Sequence, residues 1–392
     1  MFLRNARVAL LLVALTLLSS FSAQAEEASS FDEALTMAKT QGKLVLVDFY
    51  ADWCGPCKHF TADASTVPEL KKGLNSVVFF SIDAEKGDGV KLAERYGVRS
   101  YPNFLLANAE GNPVYRWVGY GDADGFLQNM NKGLSDPTTL VDKEMRFENS
   151  PKVEDAVAIA DAALAASDMR KAATWYEKAA KLQGGGYEGE IYMAKYYGLR
   201  AGLFTKDEVV DAADAVMAGG KFDDKMMVYQ TQQGLASATG DPALRHRYVE
   251  DAWKLVKDDN SPEAQSMRDY IAIDYALYVE KDLTKAANLK YDSMPEGWLK
   301  DPDRLNQYAW WCFENKVDLE RAEQLARKGS ELAQEGPQRA AILDTAAELC
   351  NALGNCDDAV SLAEQAKQND PQNDYYTKQL QRFRELAEKN AG

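Results

Sequence analysis

The chain has 392 residues, 46% of them hydrophobic and 27% charged, a balance that supports a packed core and excludes disorder as the main state. Acidic residues number 61 against 45 basic ones, for a net charge of −16, which disfavours nucleic acid and anionic lipid because phosphates need clustered Lys and Arg. Five cysteines exclude a disulfide-dense scaffold, and two histidines argue against a His-rich metal site; no metal and no cofactor is expected.

Arg4 and Arg7 precede an apolar run at 8–18, and small polar residues then end in Ala23-Gln24-Ala25. That order is a secretory signal, with cleavage expected after Ala25. The apolar run is shorter than the ~20 residues a membrane span needs, and no later run is long enough either. The mature chain is therefore expected to be exported, soluble and periplasmic, in a compartment that permits disulfides.

Residues 26–135 alternate between helix and strand. Ser30-Phe31-Asp32-Glu33 predicts a capping box, with Ser30 as N-cap and Glu33 reaching back. Phe31, Leu35 and Ala38 then share a helical face, and Gly42 stops the helix. The apolar run at 44–50 contains one Asp and reads as a strand buried on both faces. A short helix is expected from Cys57, a second buried strand at 77–82 and a helix at 90–96. Strands at 103–107 and 113–118 flank the turn Glu110-Gly111-Asn112, and a helix at 122–134 closes the unit. The order predicts a small α/β domain with helices on both faces of its sheet.

Residues 136–149 read as a linker. From 150 to 392 the strands vanish, and helical segments alternate with short turns. Aligning the turns exposes a repeat. Lys281-Asp282-Leu283, Val317-Asp318-Leu319 and Gly354-Asn355-Cys356 each lead into a helix carrying an alanine, at Ala286, Ala322 and Ala359, spaced 36 and 37 residues apart. Ser167-Asp168-Met169, leading to Ala172, is an earlier copy. The pattern resembles the tetratricopeptide repeat, whose period is about 34 residues. Stacked hairpins of that kind share a core and leave a concave face for protein partners. Trp253, Trp298, Trp310 and Trp311 are expected in the repeat core.

The chemistry lies in Trp53-Cys54-Gly55-Pro56-Cys57-Lys58, which follows the first strand and opens a helix. Cys54 falls at the helix N-terminus, where unpaired N–H groups and the macrodipole favour a thiolate, the nucleophilic form of cysteine. Cys57 lies three residues on, on the same helical face, placed to attack a mixed disulfide formed at Cys54. Pro56 pre-sets φ in the first turn. Half a zinc site is disfavoured because no second C-x-x-C or His pair is present. A purely structural disulfide is disfavoured because so short a loop gives little entropic stabilisation.

The segment Val45-Leu46-Val47-Asp48-Phe49-Tyr50-Ala51-Asp52-Trp53-Cys54-Gly55-Pro56-Cys57-Lys58 resembles the active-site segment of thioredoxins. Tyr96-Gly97-Val98-Arg99-Ser100-Tyr101-Pro102 resembles that family's cis-proline segment, and Val118-Gly119 its last strand. The resemblance covers roughly a quarter of the chain and is closest to exported thioredoxin-like domains, such as the C-terminal domain of Dsb-type membrane electron transporters. It implies a thioredoxin fold, Cys54 as nucleophile, Cys57 as resolving thiol, a redox disulfide between them, and Asp48 as proton acceptor for Cys57. It also implies substrate contacts from Trp53, Gly55, Pro56, Tyr101, cis-Pro102 and Gly119. Three residues depart from the pattern. Phe79 stands where a lysine often accompanies the buried acid, which favours the neutral form of Asp48. Tyr101 is larger than the residue usual before the proline, and Asn103 replaces a frequent Thr. His59 reads as an exposed helical residue.

The sequence thus predicts an α/β thioredoxin fold followed by an all-α tetratricopeptide-like solenoid. The leading reading is an envelope thiol-disulfide oxidoreductase that reduces protein disulfides, draws electrons from a Dsb-type membrane donor and holds protein partners on its repeats. The alternative is a repeat-based scaffold whose thioredoxin-like domain is mainly a docking module. Among the remaining cysteines, Cys350 and Cys356 flank the turn Leu353-Gly354-Asn355 and are the favoured disulfide pair. Cys312–Cys350 is the competitor, and three buried thiols are the further possibility.

Overall fold

The computed structural model describes residues 28–391; the expected export signal at 1–25 lies outside them. The chain divides into two compact units, the first ending at Ala194 and the second beginning at Lys195.

In the first unit the order is α1 (Phe31–Gln41), β1 (Val45–Tyr50), α2 (Gly55–Thr66), α3 (Pro68–Leu74), β2 (Val78–Asp83), α4 (Asp88–Tyr96), β3 (Asn103–Ala107), β4 (Pro113–Val118) and α5 (Ala123–Ser135). The sheet order is β2-β1-β3-β4, with β1 and β2 parallel and the other two pairings antiparallel. This is the thioredoxin-like α/β arrangement. Alternation along β1 divides the core. Val45, Val47 and Phe49 pack with Phe31 and Ala38 of α1 and Ala93 of α4. Leu46 faces Phe60 of α2, Leu70 of α3 and Phe126 of α5, and Asp48 shares its parity.

Local signals explain most boundaries. The Ser30 hydroxyl accepts the Glu33 N–H at 3.2 Å, although the Glu33 carboxylate takes the N–H of Ser29 at 2.7 Å rather than that of Ser30. Gly42 ends α1 at φ 64°, a left-handed conformation suited to glycine. Helix α3 was not expected; Pro68 starts it at a position where a missing N–H costs nothing.

The residues read as a linker, 136–149, instead build structure. They carry helix α6 (Leu140–Asn149), followed by α7 (Val153–Ala165) and α8 (Met169–Gln183). Lys143 is buried, and its ammonium donates to the carbonyls of Asp136 and Thr138 at 2.8 and 2.5 Å. The Arg146 guanidinium bridges Asp155, at 2.8 Å through Nε, and Asp136, at 2.5 Å. Helix α7 packs on β4. Tyr115 of β4 donates to the Asp161 carboxylate, which also accepts the Tyr176 hydroxyl of α8 at 2.5 Å. The linker reading overlooked the local cap of α6, the Thr139 hydroxyl accepting the Asp142 N–H at 3.2 Å, and could not see the packing of α7 on β4.

The second unit is helical, and helices consecutive in sequence pack on one another. The aligned turns, one of them in the first unit, carry left-handed residues: Ser167, Lys281 and Gly354 at the aligned position have φ of 59°, 58° and 83°, whereas the third turn places them on either side of Val317, at Lys316 and Asp318, with φ of 55° and 47°. The alanines that follow, Ala172, Ala286, Ala322 and Ala359, are all fully buried, which lets neighbouring helices approach closely. Trp298 is buried and Trp253 and Trp311 are partly so. Trp310, expected in the core, is 37% exposed because it sits one position off the face occupied by Tyr308, Ala309 and Cys312.

Cys312, Cys350 and Cys356 form no disulfide, so the favoured Cys350–Cys356 pairing is not made. The buried Cys350 thiol instead accepts from Arg327 at 3.2 Å and donates to Glu323 at 3.4 Å. Burial, with Glu323, pushes its pKa up to about 11.

Asp155 is 1% exposed and Arg146 32% exposed, so Arg146→Met strands a buried carboxylate. It should destabilise the first unit by about 3 kcal/mol, the low end for breaking such a pair. Urea denaturation, followed at the first unit's transition, checks this value.

Candidate active site

The strand-to-helix junction after β1 builds the site. A turn from Cys54 N–H to Ala51 C=O, 3.0 Å, brings Cys54 to the N-cap of α2, where its sulfur accepts the Cys57 N–H at 3.1 Å. Cys54 and Cys57 are joined in a disulfide with Cα atoms 5.3 Å apart. Both are buried in the oxidised state, at 2% and 4% exposure. They pack with Ala51 against Tyr50 and Tyr101, while Gly55 and Pro56 beside them are exposed.

Trp53 is 69% exposed yet anchored. Its indole N–H donates to Glu85 at 3.0 Å, and its ring meets Tyr101 edge-on at 6.0 Å between centroids. The Tyr101–Pro102 peptide is cis. The Gly119 N–H donates to the Pro102 carbonyl at 2.9 Å. Gly119 has φ 89° with open space around a notional Cβ, so backbone conformation, not crowding, requires glycine there. Trp53, Gly55, Pro56, Tyr101, Pro102 and Gly119 thus border the disulfide and the turn that faces it. A hollow of about 530 Å³ beside Gly119, lined also by Tyr120, Asp122, Phe126 and Asn129, was not anticipated from the sequence.

Asp48 is 3% exposed on the sheet face covered by α2, the helix that carries Cys57. One carboxylate oxygen accepts the Ser81 hydroxyl at 2.9 Å, and the other is buried without a partner. Burial lifts its pKa to about 7 against the opposing pull of Ser81. Phe79 pairs with Leu46, whereas Ser81 pairs with Asp48. Ser81 was missed, although aligning β1 with β2 in parallel would have found it.

Glu85 and Arg116 were also missed. Glu85 is one turn past β2 and carries no local motif. Arg116 is buried and donates to Asn103 Oδ1 at 2.7 Å and to the carbonyls of Tyr96 and Gly97 at 2.6 and 3.4 Å. His59 is 59% exposed and lies 3.4 Å from Asp63.

A thiol pair at a helix N-terminus, a nearby buried acid and an exposed aromatic rim define a thioredoxin-like disulfide oxidoreductase domain. The family described as "Thioredoxin-like domain" matches residues 31–134. A thioredoxin H-type of Fagopyrum esculentum is 40% identical over 89 residues, 23% of this chain and 72% of that protein. Thioredoxin of Chlamydia caviae is 37% identical over 89 residues, covering 23% and 81%. The chain belongs to the thioredoxin family. It also resembles the thiol:disulfide interchange protein DsbD of Cronobacter sakazakii, at 36% identity over 107 residues, but these are 26% of this chain and span only 18% of that protein's length. Among solved structures, the oxidised C-terminal domain of Neisseria meningitidis DsbD is 28% identical, covering 26% of this chain and 89% of that one, with a TM-score of 0.24.

The raised pKa of Asp48 sets a sign for stability against pH. The folded state holds this proton up to about pH 7, whereas an unfolded aspartate releases it near pH ~4. The stabilisation is complete below the unfolded value and is lost as pH rises through the folded one, by roughly 4 kcal/mol in all. Asp48→Asn should remove this slope. Urea denaturation of both oxidised proteins at several pH values between 4 and 8.5 tests it, and equal slopes would exonerate Asp48.

Proposed function

We propose that the protein is an exported thiol-disulfide oxidoreductase of the cell envelope that reduces protein disulfides, with its helical region acting as tetratricopeptide-like repeats that hold protein substrates or partners. The Cys54–Cys57 disulfide at the N-terminus of α2, bordered by Trp53 and the Tyr101–Pro102 turn, carries the reading. Export draws its support from the sequence of residues 1–25 and from the thiol:disulfide interchange relatives. Among the described residues no helix is long and apolar enough to cross a membrane. The repeat reading draws on the four turns, each of which carries a left-handed residue, three of them at the aligned position.

In the reduced enzyme the Cys54 thiolate, favoured by the helix N-terminus, attacks a substrate disulfide. A bond forms between Cys54 sulfur and one substrate sulfur, and the other leaves as a thiolate. Asp48 takes the proton of Cys57, a transfer suited to an acid whose pKa lies near neutrality. The Cys57 thiolate then attacks Cys54 sulfur, releasing the second substrate thiolate and leaving Cys54–Cys57 oxidised. Two electrons have passed to the substrate, and a Dsb-type membrane dithiol returns them. Gly55 and Pro56 resemble the reducing members of the family, and direction rests on the pair's reduction potential.

Cys57→Ser should accumulate mixed disulfides with envelope proteins, whereas Cys54→Ser should not. Diagonal gels of both variants check the order of attack. The wild type should reduce insulin, with a potential near about −270 mV, that of thioredoxin, rather than the roughly −120 mV of a strong oxidant. No insulin reduction above background would favour the scaffold reading.

A further inference from the structure

Asn103, the residue after Pro102, is fully buried and uses both ends of its amide. Its oxygen accepts from Arg116 Nε at 2.7 Å, and its nitrogen donates to the carbonyl of Ala165 at 2.8 Å. Ala165 is the last residue of α7, where helix carbonyls lack partners within the helix. Asn103 therefore caps that helix from a distant strand. Through Arg116 the same amide is tied to the carbonyls of Tyr96 and Gly97, and Gly119 holds the Pro102 carbonyl from the other side. Both ends of the segment 96–103 that presents Tyr101 to the site are thus anchored, one of them to a helix beyond the 31–134 family match.

Helix α7 is itself fixed. Ala158 enters the core shared by Leu46, Phe104 and Trp117, and Asp161 binds Tyr115 of β4 and Tyr176 of α8. Asn103 lies on the opposite sheet face by strand alternation, with Leu105 and Phe49, so α7 crosses the β4 edge and spans both faces.

We infer that Asn103 is a positioning residue that locks the substrate-contacting segment to helix α7, so that the α7–α8 pair fixes the position of that segment without itself lining the groove. The inference rests on the oxidoreductase reading of Cys54–Cys57. It distinguishes this chain from a thioredoxin-like domain with helices merely appended: the helices set affinity for a protein substrate, while the thiols set the chemistry.

The test uses the full chain. Asn103→Asp keeps the acceptor for Arg116 but replaces the donor to Ala165 with a carboxylate facing the negative end of a helix. Tyr115→Phe loosens α7 from β4 without touching the groove and serves if the first variant does not fold. Insulin reduction supplies KM and kcat, and glutathione equilibrium supplies the potential. Asn103→Asp should raise KM by about five- to twentyfold, comparable to the loss of one buried hydrogen bond, with kcat and the glutathione equilibrium constant moving less than about twofold. Tyr115→Phe should raise KM in the same direction by less. Folded variants with unchanged KM, or with kcat and potential falling alongside it, overturn the inference while leaving the oxidoreductase reading intact. A wild type inactive on insulin overturns both.

Discussion

Arg116 is the constraint around which the active-site turn is organised. It is buried in the sheet with no carboxylate within ion-pair distance among the described residues, and burial lowers its pKa to about 10. A guanidinium taken out of water must have its N–H groups met by fixed acceptors. Those acceptors are the Asn103 amide and the Tyr96 and Gly97 carbonyls, all flanking the segment that leads to Pro102. The cost of burying one cation is thereby offset by contacts that order the loop facing the disulfide. Asn103 passes that order to α7.

The site itself keeps two charges in check by different means. Cys54 sits where backbone N–H groups converge, an environment that favours its anion. Asp48 sits where burial outweighs one hydroxyl hydrogen bond, an environment that favours its neutral form. The two environments thus favour opposite charge states on neighbouring elements, an anion at the helix start and a neutral acid on the strand beneath α2. The exposed rim has a different character: Trp53 is held by Glu85, and Lys86 bridges Asp52 and Asp83. The rim is therefore positioned by polar contacts, while its apolar surface stays open.

In the helical part, small residues do the packing. Buried alanines at the repeat positions leave no room for large side chains, so the close approach of helices is written into the chain at intervals. Left-handed residues at the turns repeat with them, carried by Ser and Lys as well as Gly, so the conformation recurs where composition alone would not mark it. Buried thiols at Cys312 and Cys350 fill space in this packing, and burial raises both pKa values, which suits inert side chains rather than nucleophiles.

Much of the first domain was legible because its signals are local. Apolar runs marked β1 and β2, the Glu110-Gly111-Asn112 turn marked the β3–β4 hairpin with both strand ranges matching, and Cys54-Gly55-Pro56-Cys57 placed the dithiol at a helix start. Periodicity and turn chemistry act within a few residues, so one chain displays them. The pairing of Asp48 with Ser81, the anchoring of Trp53 by Glu85 and the burial of Arg116 join residues 33, 32 and 13 positions apart, and no short-range pattern encodes such partners. The region from 136 to 165 shows the limit most clearly. By itself it reads as a polar linker followed by an alanine-rich helix whose partners the sequence does not name. Only the exposed edge of β4, an unmatched Asn103 amide and the acids Asp155 and Asp161 turn it into part of the redox domain, because buried polar groups take their partners from wherever the fold brings them.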